Sequence, residues 1–204
     1  MGFVRDVQDG ANQTNPLLRR IHMSRISIPA ADQTPAASLP LLDAVNKQFG
    51  VVPNLMKMLG NSAAALGGFL NLSGALAKGT IGAKTGARIA LAIAEFNGCG
   101  YCLAAHTYLG KNLAKLDDAD IAANRNGTSS DAKASAAVRF AVSVAQERGQ
   151  VSDAAIRAVK AAGYSDGEVM EIVAHVALNI LTNYVNKVAQ TEIDFPEVEM
   201  RQAA

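Results

Sequence analysis

The sequence predicts an all-α fold: a compact bundle of short helices closed by one long C-terminal helix. Three observations carry that expectation. Apolar residues recur at three- and four-residue steps from Leu39 onward, no stretch alternates with period two, and Gly, Asn, Ser and Asp punctuate the periodic runs as stops and caps. Half of the residues are apolar, enough to offset the entropy of ordering the chain. At 204 residues the chain fits one domain. The expected organisation is a disordered N-terminal tail over 1–22, polar and aperiodic, and a single helical domain over 23–204. Met23 opens the more regular part and is a second candidate start of translation.

Leu39, Leu42, Val45 and Phe49 share one face of a first helix, which Gly50 ends. Pro53 suits the first turn of a short second helix. Residues 62–77 read as a third, capped by Ser62, with Gly67 and Gly68 permitting close approach of a neighbour. In residues 84–97, Ile89, Ala92, Ile93 and Phe96 line one side, and Asn97-Gly98 supplies the stop. A new helix starts at Cys99–Gly100 and runs to about Lys115. Asp117, Asp118 and Asp120 favour the first turn of a short helix that ends near Asn126-Gly127. Ser130 or Asp131 caps a helix through Arg148, and Ser152 caps one that ends at Gly163. The last helix runs from Ser165 or Asp166 to Thr191, with Val169, Val173, Val176, Ile180, Tyr184 and Val188 as its apolar stripe. Glu171, His175, Asn179, Asn183 and Lys187 form a polar row on it, the pattern of a solvated face or a hydrogen-bonded seam between subunits, with a supporting role beside the cysteines as the lesser alternative. Pro196 ends the pattern, and a polar tail follows.

Charge and composition exclude several classes. Lys and Arg total 19 against 18 Asp and Glu, which argues against a dedicated nucleic-acid binder. No apolar run approaches the ~20 residues that span a bilayer, so no membrane association is expected. The N-terminus lacks the apolar core of a secretory signal, which makes the cytoplasm the expected compartment. No phosphate-binding G-x-x-x-x-G-K-[ST] occurs.

The chemistry concentrates in AEFNGCGYCLAAH, residues 94–106. The two cysteines, Cys99 and Cys102, stand as C-x-x-C, which in a reducing compartment points to redox or metal chemistry. At the start of a helix, free N–H groups and the helix dipole stabilise a thiolate, and that argument favours Cys99. His106 lies one turn beyond Cys102 on the same face, which Leu109 and Leu113 continue. That face is therefore expected to be buried, with the Cys–His pair at the polar end of an apolar groove. A thiolate there attacks a peroxide O–O bond or a disulfide sulfur, and the second thiol resolves the product. His106 takes the proton from Cys102, and Glu95 orients or recharges that histidine, directly or through water. Tyr101 suits packing, or a hydroxyl donated to a bound peroxide. Cys99, Cys102 and His106 are enough ligands for a catalytic zinc, but a closed structural site needs a fourth and a lone C-x-x-C lacks its second half, so no metal is expected.

The run ALAIAEFNGCGYCLAAHTYLGK (residues 90–111) resembles the alkylhydroperoxidase D / carboxymuconolactone decarboxylase superfamily, in its peroxidase-related branch. The runs VPNLMKML (52–59) and AHVALNILTNYVNKVAQTEIDFP (174–196) are similar to that branch too, so the resemblance covers about residues 24–196. It implies an all-α subunit that assembles into trimers or hexamers. It implies a peroxidase without cofactor, acting on a hydroperoxide and re-reduced by a dithiol partner, a lipoylated protein in well-studied relatives. By position it makes Cys102 the attacking thiol, Cys99 the resolving thiol and His106 part of the proton relay. The family's relay glutamate, twelve residues before the first cysteine, is here Ala87, and Glu95 is the nearby acid. The residue before the second cysteine, often His, is Tyr101.

Two other functions stand beside the peroxidase: a redox sensor or scaffold without turnover, and a lactone decarboxylase that does not use the cysteines. A homo-oligomer is expected on physical grounds as well. Alanine-rich helices with few aromatics make a thin core, and the long last helix carries more apolar surface than one subunit covers.

Overall fold

A computed structural model describes residues 24–201; the expected tail over 1–22, His22 and the Met23 start lie outside the described residues. Nine α-helices and no strand occur among the described residues: α1 Leu39–Phe49, α2 Asn54–Leu59, α3 Ala63–Leu76, α4 Ala83–Phe96, α5 Gly100–Asn112, α6 Asp118–Arg125, α7 Ala132–Gln146, α8 Asp153–Ala161 and α9 Asp166–Ala189. None is long and apolar enough to cross a membrane.

The helices start and stop where local chemistry directs. Ser62, Asp117, Asp131, Ser152 and Ser165 each accept a backbone N–H in the first turn of the helix they precede. At α9 this is a capping box, because the Glu168 carboxylate accepts the Ser165 N–H in return. The expected end of α5 at Lys115 is corrected to Asn112. Lys115 takes a left-handed φ of 54°, and the turn drives Leu116 back into the core. There Leu116 packs on Gly110, where a Cβ would meet its Cδ1 at 3.3 Å.

α4 is the centre of the bundle. Gly86 and the run Arg88–Ala94 are all buried, so this helix is covered on every side. Ile89, Ala92 and Ile93 join a core with Val138, Ala141, Val159, Ile172 and Val176 from α7, α8 and α9. Leu91 and Ala94 join a second core with Leu55, Leu66, Phe69, Leu103 and Ile121, and both cysteines lie in that second core. Each large aliphatic side chain so buried contributes about 1.5–3 kcal/mol. A buried ion pair, Arg88 with Asp120, ties α4 to α6 at 3.4 Å. Of the two glycines expected to permit close approach, Gly67 faces α1, where a Cβ would meet Leu41 Cδ1 at 3.7 Å, and Gly68 has open space around it; a tighter crossing is at Gly86, where a Cβ would stand 2.8 Å from the His175 ring.

α9 corrects two expectations. Its polar row faces inward: Asn179 and Asn183 are buried together with Thr182 and Asn186. Its apolar stripe leaves the core, since Tyr184 is 56% and Val188 61% exposed. The cause is helical pitch. A four-residue step overshoots a full turn by about 40°, so a stripe built mainly of such steps rotates steadily around the axis. The polar tail expected after Pro196 is likewise corrected. Residues 190–201 form a strap docked across the start of α5, with Phe195 and Val198 packed on the second core.

Candidate active site

The site begins with the turn between α4 and α5. Gly98 adopts φ +60°, which a side chain would disfavour, and the Cys99 N–H closes back on the Ala94 carbonyl at 3.0 Å. α9 holds this turn from the other side. Lys187 donates to the Asn97 carbonyl at 2.6 Å, and the Asn97 amide donates to Asn183 Oδ1 at 2.8 Å.

Cys99 is the N-cap of α5, and its Sγ accepts the Cys102 N–H at 3.2 Å. The Cα atoms of Cys99 and Cys102 are 5.3 Å apart and the sulfurs are joined as a disulfide. Both residues are buried, at 1% and 2% exposure, so accessibility does not distinguish the two sulfurs. A third contact does. The Asn186 side-chain amide of α9 donates to Cys102 Sγ at 3.3 Å.

His106 lies one turn beyond Cys102, half-buried, with the Asn179 side chain of α9 beside it. Burial pushes its pKa down to about 4, against the opposing pull of Asn179, so the ring is neutral at pH 7. The face was expected to continue buried through Leu113; instead Leu113 is 67% exposed. The asparagines of α9 stand against α5 where an apolar groove was expected.

Glu95 does not reach this group by any hydrogen bond. Its Oε2 accepts from Arg125 Nε at 2.5 Å and its Oε1 from the Arg201 N–H at 3.0 Å, so both oxygens serve α6 and the strap. Tyr101 is also committed. Its hydroxyl donates to Asp194 Oδ1 at 2.8 Å, accepts the Leu55 N–H at 3.1 Å, and is held neutral chiefly by burial. Asp194 accepts the Asn54 N–H as well, at 2.7 Å, and the Phe195 ring meets Tyr101 edge-on at 5.8 Å. The strap reaches the turn itself, where Ile193 and Met200 lie against Gly100, between the two cysteines.

The expected polar row also places Glu171 and His175. Burial raises the Glu171 pKa, but the Ile81 and Thr80 donors outweigh it and hold the carboxyl below its usual range. His175 is lowered by burial, with Glu171 partly opposing. Its Nε2 is buried without a partner. No group of three or more His, Cys, Asp or Glu suited to a metal ion occurs among the described residues.

The structure therefore joins Cys99 to Cys102, sets His106 one turn further along α5 without a hydrogen bond to either sulfur, and leaves Glu95 and Tyr101 to anchor the strap. Sequence reasoning missed Asn186 and Asp194. The only signal for Asn186 was a third asparagine on an otherwise apolar helix. Asp194 sat in a segment whose periodicity had ended.

Residues 63–147, from α3 to just past α7, match the model of the Carboxymuconolactone decarboxylase family. The whole fold is similar to a peroxidase-related protein from Ralstonia eutropha JMP134 with an alkylhydroperoxidase AhpD core. That likeness has a TM-score of 0.75 at 22% identity and covers 84% of this chain and 93% of that one. A peroxidase-related protein from Silicibacter sp. TM1040 matches with a TM-score of 0.70 at 19% identity, over 83% of this chain and 91% of that one. The debrominase Bmp8, in a cysteine-to-alanine variant bound to 2,3,4-tribromopyrrole, matches at 0.69 and 18% identity over 83% and 91% of the two chains. At these identities the likeness is one of fold. No curated protein matches the chain.

Proposed function

The chain belongs to the alkylhydroperoxidase D / carboxymuconolactone decarboxylase superfamily, and from that premise we propose that it is a cysteine-based hydroperoxidase. The observation that carries this reading is the Cys99–Cys102 pair at the start of α5 with a neutral His106 one turn on.

In the reduced protein, His106 accepts the Cys102 thiol proton. The Cys102 thiolate attacks the terminal oxygen of a hydroperoxide; an S–O bond forms, the O–O bond breaks, and the alkoxide leaves with the proton that His106 returns. Cys99, as thiolate, then attacks the Cys102 sulfenic sulfur, forming the disulfide and expelling hydroxide, which takes up a proton as water. A dithiol reductant, of the kind a lipoylated protein carries, restores both thiols and leaves as its own disulfide. Glu95 has no part in the relay.

The test is a single turnover. Reduced protein treated with an organic hydroperoxide should lose two hydrogens at a Cys99–Cys102 link and release one equivalent of alcohol. Thiols that stay reduced overturn the reading, and activity that survives a Cys99→Ser, Cys102→Ser double variant points to the cysteine-independent decarboxylase. A subunit that oxidises once and is not re-reduced by any dithiol is the sensor.

The debrominase likeness favours one second reading. The same dithiol would supply two electrons to an activated aryl bromide, releasing bromide, placing hydrogen on carbon and forming the disulfide. Bromide release without peroxide consumption would select it.

We also propose a homo-oligomer through α9, where Leu181, Tyr184 and Val188 stand exposed on one side. Light scattering that returns the mass of one subunit overturns this.

A further inference from the structure

We propose that Asn186 holds Cys102 as the reactive thiolate and thereby selects which of the two sulfurs attacks; this rests on the peroxidase reading above. The helix start does not make that choice, since it serves both residues. Cys99 Sγ takes the Cys102 N–H as any N-cap side chain would, and Cys102 stands at the third helical position of the same first turn. Asn186 breaks the tie, because its Nδ2 donates to Cys102 Sγ at 3.3 Å.

The contact makes little sense as a device for the oxidised protein. Asn186 is 4% exposed, and its Oδ1 is buried with no hydrogen-bond partner. A disulfide sulfur is a weak acceptor, so an amide stripped of water and given only that partner is poorly compensated. Reduction changes the balance. The same N–H then faces a thiolate, and the bond becomes charge-assisted. Asn186 is thus matched to the state in which Cys102 has work to do. Stabilising the reduced form in this way also makes the disulfide a stronger oxidant, easier for a dithiol to re-reduce.

Its position is fixed from both sides. Asn186 lies in the last turn of α9, one turn beyond Asn183, and the Asn183–Asn97 and Lys187–Asn97 contacts pin that turn to the α4–α5 corner. Of the other charged or titratable groups around the dithiol, His106 of α5 is neutral at pH 7 and, in the reading above, takes the Cys102 proton without donating to Sγ, while Tyr101 is bonded to Asp194 of the strap. From α4, Glu95 is paired with Arg125 of α6, and from α9, Lys187 rests on the Asn97 carbonyl. Among the described residues, the neutral Asn186 amide is the one side chain that donates to Cys102 Sγ.

The experiment measures each thiolate alone, by its ultraviolet absorbance against pH. Cys99→Ser protein reports Cys102, and Cys102→Ser protein reports Cys99. Each is titrated with Asn186, with Asn186→Leu, which removes the donor, and with Asn186→Asp, which keeps the size and replaces the donor by a carboxylate. Circular dichroism melting establishes that each variant is folded, and Asn186→Asp serves if Asn186→Leu is not. The expected result is a Cys102 midpoint raised by about one to two pH units in Asn186→Leu and further in Asn186→Asp. The Cys99 midpoint stays within about half a unit. At pH 7 the peroxide rate of Cys102 should fall about ten- to a hundredfold with it. A Cys102 midpoint that does not move, or two midpoints that rise together, overturns the proposal. If the midpoint moves as expected but the unmodified protein consumes no peroxide, the peroxidase reading fails and the role of Asn186 in holding the thiolate stands.

Discussion

Replacing Glu95 by Gln separates two roles that the sequence alone leaves together. In the structure this carboxylate joins α4 to α6 and to the strap, through Arg125 Nε at 2.5 Å and the Arg201 N–H at 3.0 Å. Both partners of the ion pair are largely buried, with 13% and 12% side-chain exposure, so water replaces the lost contact poorly. A hydrogen bond to a charged group contributes about 1.5–3 kcal/mol. Gln retains one acceptor but sets an N–H toward Arg125 or Arg201, so a loss of about 3 kcal/mol is expected. In a protein of this size that lowers the melting temperature by about 6–12 °C. Calorimetry reads the shift, and a cycle with Arg125→Gln should show that the two losses are strongly non-additive. Single-turnover oxidation by a hydroperoxide, measured well below the transition, should stay within about threefold of the unmodified rate, because a group outside the relay carries none of the usual 10²–10⁴ of acid–base catalysis. An unchanged melting temperature with a rate reduced more than about a hundredfold would refute this and return Glu95 to the proton relay.

Three further outcomes follow from the same geometry. Tyr101→Phe strands the Leu55 N–H and Asp194 Oδ1; it should cost about 1–3 kcal/mol in denaturant unfolding while the dithiol still oxidises. His106 is pushed down to about 4 by burial, whereas an unfolded histidine titrates near 6.5, so between those values the unfolded chain binds a proton that the native one does not. Stability is therefore full above about pH 6.5 and declines by about 3 kcal/mol as pH falls to about 4; His106→Asn should remove that share of the slope in urea titrations. Gly86→Ala sets a Cβ 2.8 Å from His175 Cε1 and should destabilise by about 1–3 kcal/mol, and a second change, His175→Ala, should recover part of it. Simple addition of the two losses would contradict the packing described at that crossing.

The helices were legible because their ends are written locally. Ser62, Asp117, Asp131, Ser152 and Ser165 act on N–H groups within their own first turn, and Gly50 and Gly98 take the positive φ that a stop requires. The Cys99–Cys102 pair and His106 were legible for the same reason, since a three- and a four-residue step on one helix fix their relation. What failed needed tertiary information. The α9 row read first as a solvated or intersubunit face, and only second as support for the cysteines, because spacing gives the angle between residues, not which angle meets α4 and α5. The strap was invisible to periodicity, since residues 190–201 are held by single side chains, Asp194, Phe195 and Arg201, rather than by a repeating face. Glu95 was close to the cysteines in sequence, and only the fold reveals Arg125 from α6 on its other side.

The account turns on Cys102 as the nucleophile, and the direct measurement is to trap its first product. Reduced Cys99→Ser protein, treated with one equivalent of an organic hydroperoxide in the presence of dimedone, should release the alcohol and carry the dimedone adduct on Cys102, while Cys102→Ser protein should form little of either. An adduct found on Cys99 in the Cys102→Ser protein, with Cys102 unmodified in the other, would contradict it.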